Sequence, residues 1–168
     1  MMASYSLSTD RLVLRTPREE DFEHCAAFMS SERSKFTGGP TADRFDIWRG
    51  FLGSIGHWGL RGYGFFTVLH DDQPVGRVGL VNHIMWDEPE LGWHLFEGHE
   101  GKGFATEAAE AVRLWAAETH GLNHLISYIH PENAASRRVA ERMGATHERD
   151  TTLLGQNAQV WRHRKIVP

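Results

Sequence analysis

The stretch Glu100-Gly101-Lys102-Gly103-Phe104-Ala105-Thr106-Glu107 narrows most what this chain can fold into, because it leads directly from a strand-like run into a helix-like one. Gly101 and Gly103 remove the side chains that would hold a ligand off the backbone, and a helix starting near Ala105 or Thr106 leaves its first N–H groups unpaired. Bare amides at the positive end of a helix dipole suit a phosphate or pyrophosphate. The same residues also suit a plain tight turn, so the flanking chain has to decide between the two.

Those flanks read as alternating strands and helices. Arg11 to Arg15 is a first strand, and Thr16, Pro17 and Glu19 read as a capping box opening a helix with Phe22, Cys25, Ala26 and Met29 on one face. A second helix from Thr41 would bury Phe45, Trp48, Leu52 and Ile55, with Gly50, Gly53 and Gly56 weakening it enough to break it or leave it mobile. Phe65 to Leu69, Val75 to Val81 and Glu90 to Leu95 then form an antiparallel meander. After the glycine turn come a helix from Thr106 to His120 and a strand from Leu125 to Ile129, far enough apart for a crossover and local parallel pairing. An Asn133-capped helix from Ala134 to Met143 and a hairpin around Gly155-Gln156-Asn157 complete the order.

This predicts one domain over residues 1–168, a mixed α/β (α+β) fold with a mostly antiparallel sheet of about seven strands and about four helices. No apolar run approaches the roughly 20 residues of a membrane span, and no secretory leader is visible at the start. With one cysteine, Cys25, read as core filler, the expectation is a soluble cytoplasmic protein without a membrane partner. A formal charge of −4 gives no global attraction to nucleic acid, so none is expected as a partner. Among the 11 histidines His120 and His124 have a ligand-like interval, but Gly121 interrupts the helix that would align them, the others are scattered and no cysteine pair exists, so no metal is expected.

The order of elements resembles the GNAT superfamily of N-acetyltransferases. The family's cofactor pattern is Arg or Gln, two residues, Gly, one residue, Gly or Ala, and it is matched at Gly103 and Ala105. Thr106-Glu107-Ala108, Thr9 to Arg15, Gly62 to Phe66, and Pro131-Glu132-Asn133 with Ser136 and Gly144 resemble the RimJ/RimL branch, the ribosomal-protein N-terminal acetyltransferases. The resemblance implies acetyl-CoA, its pyrophosphate on the amides of Gly101, Lys102, Gly103, Phe104, Ala105 and Thr106, and its pantetheine beside the end of the Glu90–Leu95 strand and near Asn133. It implies an amine acceptor, either a protein or peptide α-amine or a small molecule, and leaves open a homodimer and a non-catalytic CoA-binding module.

Two positions depart from the family pattern. Glu100 stands where it has Arg or Gln, so either the side chain points to solvent or cofactor affinity is modest, with Lys102 close enough to offset the charge. Ala140 stands where many members carry the tyrosine that protonates the departing sulfur, which leaves Ser136 as the nearest hydroxyl. An amine must lose a proton before it attacks, and Glu90 or His94 could take it, since strand alternation puts Glu90, Gly92 and His94 on one face. The oxyanion donor would be a backbone N–H near Leu95 or Phe96, and Trp58, Tyr63 and Trp86 are candidate walls for the acceptor.

Overall fold

The computed structural model describes residues 2–167. Eight strands form one sheet: β1 (Ser6–Ser8), β2 (Leu12–Arg15), β3 (Phe65–His70), β4 (Gln73–Val81), β5 (Glu90–Leu95), β6 (Ile126–Ile129), β7 (Thr146–Leu153) and β8 (Gln156–Arg162). Their order is β1-β2-β3-β4-β5-β6-β8-β7, antiparallel throughout except for β5 with β6. The four α-helices are α1 (Phe22–Met29), α2 (Arg44–Arg61), α3 (Phe104–His120) and α4 (Ala134–Arg142). The strand beyond the expected seven is β1, three residues too short for alternation to register. The β3–β4 turn closes on Asp71 and Asp72, both at positive φ, whose twist matches the flanking strands.

Side-chain alternation on β5 sorts the helices to the two faces. Leu91 joins Val78, Leu80 and the inner residues of α3, namely Ala108, Ala109, Val112 and Ala116, in the main core. His94, on the other face, lies against Phe28 of α1, whose cluster with α2 contains Phe22, Cys25, Ala26, Ile47, Phe51 and Phe96. Cys25 is thus the expected packing residue, and burial raises its thiol pKa.

Two helix readings need correction. The Thr16 capping box does not form; Thr16 is buried, and a 3-10 turn at Glu19–Asp21 precedes α1. Asp21 takes over the task. Its carboxylate accepts from the backbone N–H of Arg18 (2.8 Å), from both terminal nitrogens of Arg15 (2.8 Å each) and from the Thr67 hydroxyl (2.7 Å), which fastens the start of α1 to β2 and β3. The second correction concerns α2, which starts after an Asp43 cap, runs unbroken and buries Ile47, Phe51 and Trp58, leaving Phe45 and Leu52 exposed. Continuing the expected stripe would reach Gly59 and Gly62, which offer no apolar surface, whereas the observed one ends on Trp58.

Burial alone would raise the pKa of Asp21, but the bonds from Arg15, Arg18 and Thr67 outweigh it and hold the carboxyl below its ordinary value. Such a group stabilises the fold above its unfolded-state pKa, about 3.9, and loses that contribution as pH falls through its folded-state pKa. Asp21→Asn is expected to cost about 3 kcal/mol at pH 7 and to flatten the loss of stability below about pH 4. Urea unfolding at several pH values measures both, and a variant as stable as the parent would remove Asp21 from this role.

Candidate active site

Of the residues singled out from the sequence, Glu90 lies where β5 and β6 part. The two strands share one register pair, Glu90 with Ile126. A continued parallel ladder would bring the Tyr128 N–H to the Leu91 carbonyl. Instead the Tyr128 N–H donates to Glu90 Oε2 (3.0 Å), and the Leu91 carbonyl accepts from Ser127 Oγ (2.6 Å). The side chains of Glu90 and Ser127 thereby take the next rung's partners, and the strands diverge.

The β4–β5 register shows which β5 amides face the gap. Phe96 N–H donates to the Val75 carbonyl at 2.9 Å, so the even-numbered residues of β5 spend their backbone groups on β4. Trp93 and Leu95, being odd-numbered, turn theirs toward β6. Of the two expected donors, Leu95 therefore faces the gap, whereas Phe96 is committed to β4 and its ring is buried beside α1.

The glycine turn follows β5 and leads into α3. Gly101 and Gly103 have φ values of 73° and 80°, and a Cβ at Gly101 would meet nothing within 4 Å, so the turn's surface is open. Gly103 is the N-cap of α3 and supplies no side-chain acceptor; the first helical bond is Glu107 N–H to the Gly103 carbonyl. The N–H groups of Phe104, Ala105 and Thr106 are left free. Thr106 Oγ1 is buried without a hydrogen-bond partner among the described residues, an orphaned donor in the same first turn.

The turn is held from the chain's start. Glu107 accepts from Thr9 Oγ1 (2.6 Å), the Arg11 N–H (3.0 Å) and Arg11 Nε (2.7 Å), while Arg11 Nη1 donates to the Lys102 carbonyl (2.8 Å). Two sequence fragments noted only for their resemblance, Thr9 to Arg15 and Thr106 to Ala108, are therefore one clamp. Lys102 does not offset Glu100 by pairing with it; Glu100 is instead salt-bridged to Arg33, a residue with no marker in the sequence.

Glu90 and His94 share a face as expected, but their chemistry separates them. Glu90 is half-buried, with protein packed round its carboxylate, and this raises its pKa to about 7 despite bonds from the Tyr128 N–H and Trp86 Nε1 (2.9 Å). His94 is stacked between Phe28 and Phe65, ring centroids 5.2 Å from each, and burial together with the charge of Arg77 lowers its pKa to about 3. Trp86 stands against Glu90, but Trp58 and Tyr63 are core residues rather than acceptor walls. Asn133 caps α4 by accepting at Oδ1 from the Ser136 N–H (3.2 Å), and its amide NH₂ bonds to nothing among the described residues. Ser136 Oγ bonds to nothing among the described residues, and Ala140 is fully buried against Ile129, Ala145 and Trp161.

The family described as the acetyltransferase (GNAT) domain matches residues 11–146. The chain belongs to the GNAT acetyltransferase family. An acetyltransferase from Agrobacterium tumefaciens strain C58 is 36% identical, covering 98% of this chain and 97% of that one with a TM-score of 0.89. The ribosomal protein uS5-alanine N-acetyltransferase of Escherichia coli is 24% identical over 152 residues, 84% of this chain and 78% of that protein. RimL, the ribosomal L7/L12 acetyltransferase solved in complex with coenzyme A, shares the fold at 18% identity, a TM-score of 0.77 and coverage of 96% and 98%. YnaD of Bacillus subtilis, an uncharacterized N-acetyltransferase, aligns over half of this chain and half of its own length, at 29% identity.

For this GNAT enzyme the stacked, half-buried imidazole of His94 is expected to stay neutral from pH 5 to pH 8. Ring-proton NMR would show it, and a midpoint near the ordinary histidine value of about 6.5 would return His94 to the candidate bases.

Proposed function

We propose that the enzyme moves an acetyl group from acetyl-CoA to a primary amine within a ternary complex, with Glu90 as the base. The observation that carries this reading is Glu90 itself, a carboxylate with its pKa raised to about 7, placed where the strands part above an open anion-binding turn. The free N–H groups of Phe104, Ala105 and Thr106, the orphaned Thr106 hydroxyl and the bare surface of Gly101 fit a diphosphate. Acetyl-CoA supplies the activated thioester, from which the attacking amine takes the acetyl group and CoA leaves as the thiol.

In this reading the Leu95 N–H donates to the thioester oxygen as that oxygen gains charge, and the Asn133 amide NH₂ holds the pantetheine arm. Glu90 receives the amine's proton, directly or through one water. Ser136 is the hydroxyl available to the departing sulfur, and a thiol's low pKa of about 8.5 asks little of it.

The pKa of Glu90 also bears on the acceptor. Proton transfer from an α-ammonium group, with a pKa near 8, to a base at about 7 costs about 1.4 kcal/mol. From a lysine-like ammonium near 10.4 the same transfer costs about 4.6 kcal/mol. This gap favours an α-amine over a side-chain or polyamine nitrogen. The Escherichia coli relative agrees with that preference, being an alanine N-acetyltransferase, and alanine has no amine besides its α-nitrogen. A peptide or protein N-terminus is therefore the proposed acceptor, with a small-molecule amine as the second reading.

Turnover of acetyl-CoA against peptides with free N-termini tests the proposal. The pH profile of kcat is expected to rise through an apparent pKa near 7, and Glu90→Gln to remove that limb and lower kcat by about 10²- to 10⁴-fold while acetyl-CoA binding persists. An unchanged profile in the variant would exclude Glu90 as the base, and binding of acetyl-CoA without turnover on any amine would leave a binding module.

A further inference from the structure

The connection between α1 and α2 crosses the gap that the glycine turn and β5 leave open. Arg33, in a 3-10 turn at Glu32–Ser34, donates through Nη2 to the Leu95 carbonyl (2.8 Å) at the end of β5, and its Nη1 pairs with Glu100 at the entry to the glycine turn. Three residues on, Phe36 stacks on His130, just past the end of β6, with ring centroids 4.9 Å apart. Arg33 to Phe36 thus reaches from the end of one parted strand to the end of the other.

A guanidinium carries five N–H donors in a planar fork. The bonds to Leu95 and Glu100 occupy two, and the side chain is partly exposed, so three remain to be directed at a ligand beside the turn. A lone carboxylate at Glu100 would repel a diphosphate seated on the neighbouring amides. Paired with Arg33 that charge is neutralised, and the guanidinium is held beside the turn with its remaining donors free to reach a phosphate.

Building on the acetyl-CoA reading above, we propose that Arg33 is a diphosphate-binding residue of the cofactor site, with Glu100 and the Leu95 carbonyl as its anchors. Arg33 then supplies from the α1–α2 connection the positive group that the family pattern carries in the turn itself. The departure at position 100 becomes a relocation of the cation rather than its loss.

Calorimetric titration with acetyl-CoA and with S-acetylpantetheine, which has the thioester arm but no phosphate, tests this on the full chain. Arg33→Ala is expected to weaken acetyl-CoA binding about tenfold or more and to leave S-acetylpantetheine within about twofold, with Arg33→Lys between parent and Ala. Glu100→Gln, which keeps a hydrogen-bond acceptor for Arg33 but frees its charge, is expected not to weaken acetyl-CoA binding. Unchanged acetyl-CoA affinity in Arg33→Ala would overturn the assignment. Equal loss of both ligands would do so too, since Arg33 would then shape the channel, and tighter binding would make it a plug. A parent protein that binds neither ligand would instead sink the acetyl-CoA reading on which the assignment rests. Thermal melts of each variant separate loss of binding from loss of fold.

Discussion

Everything at the site follows from one interrupted ladder. Glu90 takes the N–H of Tyr128 and Ser127 takes the carbonyl of Leu91, and without those two rungs β5 and β6 cannot stay paired. Backbone groups left without sheet partners need others, because an unpaired amide away from water costs as much as a lost hydrogen bond. Leu95 shows one answer in the Arg33 side chain, and its N–H and that of Trp93 leave main-chain donors along the gap. The residue that opens the cleft is thus the one whose carboxylate is best placed to act in it. Substituting Glu90 alters both the proposed base and the end of the ladder.

The clamp on the glycine turn and the hub at Asp21 do comparable work on the two sides of the sheet. Glu107 gathers Thr9 and Arg11 from the loop before β2, so the free amides of α3 are set against the sheet by four hydrogen bonds rather than by the turn alone. Burial raises the Glu107 pKa, but the bonds from Thr9 and Arg11 prevail and keep it below its ordinary value. On the opposite face Asp21 fixes where α1 begins, and α1 carries Phe28 onto His94. There burial and the charge of Arg77 lower the His94 pKa, whereas burial raises that of Glu90.

Much of this was legible in the residues. The meander, the crossover helix, the parallel pairing of β6 and the Asn133 cap follow from periodicity, glycine placement and spacing, because each is a local property. The helix face of α2 was not, since two apolar stripes overlap on it and only the packed structure shows that Trp58 reaches the main core. Thr16 and Pro17 have the composition of a cap, yet Asp21 outcompetes them through partners in β2 and β3 that local spacing does not reveal. Glu90 and His94 could be placed on one face from alternation, but what separates them is burial, which depends on Phe28, Phe65 and Trp86 from elsewhere in the chain. Arg33 lay in a polar loop with no motif, and its pairing with Glu100 joins two segments that only folding brings together.

In the proposed complex acetyl-CoA lies across the parted strands with its phosphates on the first turn of α3. Amide hydrogen exchange with and without acetyl-CoA addresses this residue by residue. Slowed exchange is expected at Trp93 and Leu95 and at residues 101–106, with little change in β2, β3 or the β7–β8 hairpin. Protection confined to other segments, or none at residues 101–106 when acetyl-CoA is bound, would contradict it.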